Sequence, residues 1–214
     1  MNWRLASRLS VVTLAILVVV IVSIFTANRQ ANGVTASTSS TTSTSSQLQG
    51  TDLGGSPAPN FQLKDQNGKQ ISLAQFKGKP VVLTFLYTHC PDACPLTAEK
   101  LHASMVQLGS AAANVGVVAV STDPVRDTAQ AAQAFSKSHR MTDYWHYLIG
   151  SHQQLSPVWS SYRVYAQPVD AKKGTVMHSS AVFVIDKQGN ERVFLGDDFT
   201  SDQLTADLKT LLQE

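Results

Sequence analysis

The only two cysteines of the chain stand four positions apart, in the stretch TFLYTHCPDACPLT that begins at Thr84. Positions four apart in a helix share a face and lie about 5–6 Å from each other, so the thiols of Cys90 and Cys94 can converge on one small ion. A helix N-terminus favours thiolate over thiol, whereas the charge of Asp92 between the cysteines opposes it. The spacing therefore predicts either metal binding or thiol redox chemistry.

Three common uses of two cysteines fit this spacing less well than copper(I) does. A structural disulfide gains most when it closes a long loop, and this one would close only a few residues. A dithiol oxidoreductase ordinarily has C-x-x-C, and a zinc site needs four ligands that the short spacings here do not supply. Copper(I) is soft, prefers thiolate and imidazole, and accepts few ligands. Two cysteines and one histidine would therefore suffice for copper(I).

The sequence offers six histidines as the third ligand: His89, His102, His139, His146, His152 and His178. Neighbouring side chains on an extended segment point in opposite directions, which makes His89 an awkward partner for the adjacent Cys90. Three histidines fall on predicted helix surfaces, where we expect them to be solvated, and His146 falls within a predicted strand. His178 opens the segment MHSSAVFVID, at the loop end of a predicted hairpin. Its position alone leaves two interpretations open, a metal ligand or a hydrogen-bonded loop residue.

The elements around these residues predict an α/β fold. A hairpin around Asn67-Gly68 comes first, and the later elements alternate between buried strands and helices, which implies parallel crossovers. The predicted strands are KPVVLTFLY, VGVVAVSTD, YWHYLIG and the hairpin SAVFVIDKQGNERVFLG; the predicted helices begin near Pro95, Thr128, Ser151 and Thr200. This order suggests a thioredoxin-like fold, a central mixed sheet flanked by helices with an N-terminal hairpin extension. Cys90 and Cys94 then follow a central strand, at the edge where such sheets form their functional crevice.

The N-terminal part predicts a membrane anchor and a linker. Residues 9–28 carry no charge, and about 20 residues at about 1.5 Å each span roughly 30 Å, the thickness of the hydrocarbon layer. We therefore assign residues 1–8 to a cytoplasmic N-terminus, 9–28 to a transmembrane signal-anchor, 29–57 to a Ser/Thr-rich flexible linker and 58–214 to the folded domain. This arrangement predicts a single-pass protein of the bacterial plasma membrane with its C-terminal domain on the extracytoplasmic side. The net charge of +2, from scattered basic residues, gives no basic stripe for a nucleic-acid partner.

Several segments together resemble the Sco/SenC family of copper chaperones. They are TFLYTHCPDACPLT, VAVSTDPVRDT, WHYLIG with the later SYRVYA, and MHSSAVFVIDKQGN, and the resemblance covers residues 59–214. It implies a thioredoxin fold that binds copper through Cys90, Cys94 and His178. It also implies that the protein assists assembly of the binuclear copper site of cytochrome c oxidase subunit II. The cargo would be copper(I), and also copper(II) given an additional ligand.

The resemblance leaves two details and one rival function open. Asp123 matches a family position, where it would either orient the site or form the turn after a strand. Met177 stands where relatives often have Asp, and on an extended chain its thioether should point away from the site. The alternative function is a thiol-disulfide oxidoreductase that reduces the cysteines of the oxidase copper site or acts in redox signalling. It would need both thiols but not His178, so we leave open whether the protein is an enzyme.

Overall fold

The computed structural model describes residues 48–170, 175–178 and 181–214, with side chains outside 168–180. These residues belong to a unit that runs from Ser46 to Glu214. The predicted N-terminus 1–8, the anchor 9–28 and most of the linker lie outside the described residues. Within the described ranges, no helix is long and apolar enough to cross a membrane.

A mixed eight-stranded sheet forms the centre of the domain, in the order β1-β10-β9-β4-β5-β6-β2-β3. Its strands are β1 (Thr51–Pro57), β2 (Gln62–Asp65), β3 (Gln70–Ser72), β4 (Val81–Leu86), β5 (Gly116–Ser121), β6 (His146–Ile149), β9 (Val182–Ile185) and β10 (Asn190–Leu195). The strands β4, β5 and β6 run parallel, whereas β9 is antiparallel to β4. A separate hairpin joins β7 (Ala166–Asp170) and β8 (Thr175–His178). The mixed sheet predicted from the sequence is confirmed.

The helices cover both faces of this sheet. They are α1 (Ala93–Leu108), α2 (Ala129–Ser138), α3 (His152–Ser161) and α4 (Ser201–Gln213). Apolar side chains of α1, α2 and α4, such as Leu101 and Leu208, form one core with the sheet face beneath them. Leu155 and Trp159 of α3 belong to the core on the opposite face. The all-buried strands β4 and β5 lie between these two cores, which explains their continuous apolar sequences.

Two boundaries differ from the sequence prediction, and one helix continues through a proline. Residues 51–57, assigned to the end of the linker, form the edge strand β1, which pairs with β10. Backbone hydrogen bonding holds this Gly-containing segment, although its composition resembles a linker. Helix α1 begins at Ala93, so Pro95 lies inside its first turn, where its missing N–H costs nothing. Helix α3 runs through Pro157 without being split.

Candidate metal and thiol site

A tight turn carries the chain from the central strand to the first cysteine. The N–H of Cys90 donates to the carbonyl oxygen of Tyr87 over 3.3 Å, directly after β4 ends at Leu86. The carbonyl oxygen of Leu86 in turn accepts hydrogen bonds from the backbone N–H and the hydroxyl of Thr122, at 2.8 and 3.2 Å. These bonds fasten the start of the cysteine loop to the end of the neighbouring strand β5.

The sulfur of Cys90 serves as a hydrogen-bond acceptor at the start of α1. The N-cap residue Asp92 makes no side-chain cap bond. Instead, the backbone N–H of Cys94, in the first turn, donates to Cys90 Sγ over 3.3 Å. The first N–H groups of a helix have no partner within the helix, and the macrodipole adds partial positive charge there. This end of the helix therefore stabilises negative charge on the Cys90 sulfur.

The two thiols differ in their surroundings. Cys94 is fully buried at 0% exposure and belongs to the core beneath α1, whereas Cys90 is half-buried. The hydrogen bond with Cys90 raises the pKa of the Cys94 thiol far above its usual range, and burial raises it further. No disulfide joins Cys90 and Cys94 in this structure. The fold thus buries Cys94 and leaves Cys90 partly accessible to solvent.

Asp127 belongs to this site, although its position in the sequence did not indicate it. Its carboxylate is 6% exposed, and Oδ1 accepts from the N–H and the hydroxyl of Thr88 at 2.9 and 2.7 Å. Oδ2 accepts from the hydroxyls of Ser121 at 2.7 Å and Tyr147 at 2.9 Å. Burial raises the pKa of Asp127, and these four donors lower it. Asp127 therefore ties the cysteine loop to β5 and β6.

Asp123 acts as a turn former. Its Oδ1 accepts from the N–H groups of Val125 and Arg126, each at 3.2 Å, and its Oδ2 forms an ion pair with the Arg126 guanidinium. These bonds close the loop between β5 and α2. The sequence left two roles open for Asp123, and these contacts correspond to the turn that follows a strand.

The histidines of the described part occupy several environments. His89 is exposed, as is His152, whose predicted solvation is confirmed. Solvation was wrongly predicted for two others: the side chain of His139 is 16% exposed, with its ring 4.4 Å from that of Phe135, and His102 is half-buried against Tyr144. His146 lies in β6, where Nδ1 is 2.8 Å from Asp65 Oδ2.

A groove beside Cys90 brings two of these histidines to the site. The cysteine loop contributes Thr88, His89 and Cys90 to it, α2 contributes Phe135, and the C-cap residue of α2, His139, also lines it. Among the described side chains, those of residues 48–167 and 181–214, no three His, Cys, Asp or Glu residues are close enough together to hold a metal ion.

The predicted ligand His178 is described only by its backbone. It lies in β8, where it pairs with Ala166. Four residues later, Val182 pairs with Thr84 of β4, whose hydroxyl donates to the carbonyl oxygen of Ala181 over 3.0 Å. Because β9 is antiparallel to β4, β9 begins at the end of the sheet where β4 delivers Cys90. The ligand role of His178 stays a prediction.

Comparison with known proteins matches residues 49–213 to the SCO1/SenC family model. The chain belongs to the SCO1/SenC family. It is 30% identical over 148 residues to the mitochondrial protein SCO1 homolog 1 of Arabidopsis thaliana, an alignment that covers 68% of this chain and 44% of that protein. The chain spans about half the length of the relatives that it matches.

Two solved structures show how far the likeness extends in three dimensions. The structure of Bradyrhizobium japonicum ScoI with copper bound is 33% identical to this chain, with a TM-score of 0.67, and covers 73% of this chain and 100% of its own. Apo Sco1 of Thermus thermophilus is 30% identical, with a TM-score of 0.69, and covers 78% of this chain and 98% of its own. The folded part of this chain therefore has the same overall fold as these two Sco proteins.

Proposed function

We propose that this protein is a membrane-anchored extracytoplasmic copper chaperone. In this proposal Cys90 and Cys94 hold copper together with His178, and the anchor 9–28 and the linker beyond it keep the domain at the bacterial plasma membrane. The cargo is copper(I), or copper(II) with an additional ligand. The acceptor is subunit II of cytochrome c oxidase, whose binuclear copper site the protein helps to assemble.

One observation carries the proposal: two thiols lie together at the start of α1 in a chain of the SCO1/SenC family. The Cys94 N–H donates to Cys90 Sγ over 3.3 Å, and the two thiols are themselves hydrogen-bonded at this helix end. Thiolate is the ligand that copper(I) prefers. The related Bradyrhizobium protein, 33% identical, has been solved with copper bound.

Ligand exchange follows from the same geometry. Binding copper releases thiol protons, so affinity should fall in acid. The half-buried position of Cys90 leaves one side of a three-ligand site open to an incoming thiolate, which permits transfer to an acceptor.

The decisive experiment is an anaerobic copper(I) titration of the reduced domain against a competing chelator. We expect Cys90→Ser and His178→Ala to weaken binding severely. His152→Ala is the matched control, because this histidine is exposed on α3 and is not a proposed ligand. Normal copper(I) binding by His178→Ala would remove that residue from the ligand set.

A second candidate function is thiol-disulfide exchange, favoured by the asymmetry of the two thiols. A half-buried Cys90 beside a buried Cys94 with a raised pKa resembles an attacking and a resolving thiol. If His178→Ala lost no copper affinity while the Cys90–Cys94 disulfide still exchanged rapidly with glutathione, the oxidoreductase would become the leading function.

The membrane anchor has its own test. We expect the full chain to sediment with the membrane fraction and to resist extraction by carbonate, whereas a chain beginning at residue 46 should be released. Recovery of the full chain in the soluble fraction would contradict an uncleaved anchor.

A further inference from the structure

His89 occupies a different backbone conformation from the one that the sequence suggested. The hydrogen bond between the Cys90 N–H and the Tyr87 carbonyl oxygen closes a turn over these residues, so His89 does not lie on an extended strand. Its side chain is exposed and lines the same groove as Cys90. The objection that neighbouring side chains must point apart therefore no longer applies.

Hydrogen bonding orients the ring of His89 and fixes its tautomer. Nδ1 lies 2.9 Å from Thr88 Oγ1, which lies 2.7 Å from Asp127 Oδ1. The Thr88 hydroxyl has a single proton, and the carboxylate, which already accepts three other donors, can only accept it. The Thr88 oxygen must therefore accept from His89, so Nδ1 carries the proton.

A neutral imidazole with its proton on Nδ1 has a lone pair on Nε2. Histidines that bind metals typically donate the other ring N–H to a hydrogen-bond partner, which orients the ring and increases its basicity. Here the partner is Thr88, backed by the buried carboxylate of Asp127. The contacts of these three residues thus leave Nε2 without a proton, on an imidazole that lines the same groove as Cys90.

We propose that His89 is an additional copper-binding residue that takes copper(I) through Nε2 before the metal reaches the thiol pair. The proposal rests on the proposed copper cargo, but it concerns loading and not the final ligand set. In the transfer, the bond from copper to His89 Nε2 breaks as a bond to Cys90 Sγ forms. The thiol proton passes to solvent, and copper stays in the +1 state.

The loading role explains why His89 need not complete a permanent site. Among the described residues, no three potential ligands converge on one ion, so His89 adds no ready-made third ligand to the cysteines. His139 also lines the groove, but its ring packs against Phe135 and its side chain is largely buried. His89 is the more accessible of the two imidazoles. Its removal should therefore alter the rate of loading far more than the final affinity.

The tautomer can be measured without any metal. The Bradyrhizobium relative aligns over 100% of its length with 73% of this chain, and residues 46–214 form one compact unit, so we expect this part to fold on its own. Long-range ¹⁵N–¹H spectra of this reduced domain should show His89 with its proton on Nδ1. Thr88→Val, which removes the accepting oxygen, should abolish that preference. A proton found on Nε2 in the unmodified domain would overturn the proposal.

Loading itself is tested by stopped-flow transfer of copper(I) from a chelator complex to the same domain. We expect His89→Ala to slow loading by about tenfold, with Thr88→Val intermediate, while the equilibrium affinity stays within about twofold. His152→Ala, an exposed histidine remote from the cysteine loop in sequence, is the matched control and should load at the normal rate.

The outcomes separate this inference from the proposed function. If His89→Ala loads as fast as His152→Ala while Cys90→Ser loses tight binding, the loading role is wrong and the chaperone proposal stands. A large loss of affinity in His89→Ala would also contradict the loading role, because it would make His89 a ligand of the final site. If the unmodified domain binds no copper(I), both proposals fall.

Discussion

Replacing Asp127 should separate the geometric contribution of this carboxylate from the contribution of its charge. Its four accepted hydrogen bonds come from the N–H and hydroxyl of Thr88 and the hydroxyls of Ser121 and Tyr147. Asp127→Ala removes every acceptor. Asp127→Asn keeps Oδ1 as the acceptor for Thr88. The new amide can donate to the hydroxyl oxygens of Ser121 and Tyr147 once these hydroxyls rotate and accept a hydrogen bond instead of donating one.

The magnitude follows from the donors that would be stranded. In Asp127→Ala, the Thr88 N–H and the fully buried Tyr147 hydroxyl have no evident replacement among the described residues. Each buried donor left without an acceptor costs about 1–3 kcal/mol, so we expect the free energy of unfolding to fall by about 4 kcal/mol. This is a large fraction of the roughly 5–15 kcal/mol that stabilises a typical domain.

The charge itself should add no stability at neutral pH, because burial makes the ionised form less favourable in the folded state. Burial raises the pKa of Asp127 in the folded state above its value in the unfolded chain. Stability linked to this group is therefore complete below the unfolded pKa of about 3.9 and declines as the pH rises through the folded pKa. Asp127→Asn cannot ionise and avoids that decline, so its unfolding free energy should lie within about 1 kcal/mol of wild type.

Urea denaturation of the reduced domain, followed by tryptophan fluorescence, measures these differences. The expected result is a large drop in the midpoint for Asp127→Ala and a small change for Asp127→Asn, with similar m-values. Near-equal stability of the alanine variant would mean that water replaces the carboxylate. A loss in Asp127→Asn as large as in Asp127→Ala would mean that the charge, and not the hydrogen bonding, holds the loop.

Three further predictions concern stability and use the same denaturation assay. Leu101→Ala should lower the free energy of unfolding by about 2–5 kcal/mol, because this α1 side chain is fully buried in the core. A loss below about 1 kcal/mol would contradict tight packing there. Thr200→Ala should cost about 1 kcal/mol, because it removes the hydroxyl that accepts from the Gln203 N–H in the capping box of α4; Ser at this position should restore it. Burial raises the pKa of Asp207, whose Oδ2 has no hydrogen-bond partner among the described residues, so Asp207→Asn should gain about 1 kcal/mol at neutral pH. That gain should disappear below the unfolded pKa of about 3.9, and a gain that persisted in acid would show that charge burial is not its cause.

The central fold was predictable because its patterns are local. Continuous apolar stretches gave the strands β4 and β5, and the Asn67-Gly68 turn gave the hairpin of β2 and β3. Gly68 has a φ of +80°, which glycine adopts without strain. The strand β1 was missed because its pairing with β10 depends on residues about 140 positions away in sequence and not on its own composition.

The support of the cysteine loop was not predictable for a similar reason. The sequence identified Cys90 and Cys94 from their spacing, but Asp127 lies beyond the next strand and looks like an ordinary helix cap. Its role appears only when β5 and β6 bring Ser121 and Tyr147 to the same carboxylate. The turn at His89 was also missed, because a segment after a buried strand was assumed to continue as extended chain.

The two cysteines are chemically alike in sequence and differ only through what the fold places around each. The start of α1 gives the Cys90 sulfur a backbone donor, and the core takes up Cys94. The hydrogen-bonded link from Asp127 through Thr88 to His89 then fixes the loop on the solvent side of Cys90. Since the same link orients an imidazole, a single change at Thr88 should disturb both the position of the loop and the tautomer of His89. Changes at Cys94 should leave that tautomer unaltered, because Cys94 lies in the helix and outside the link.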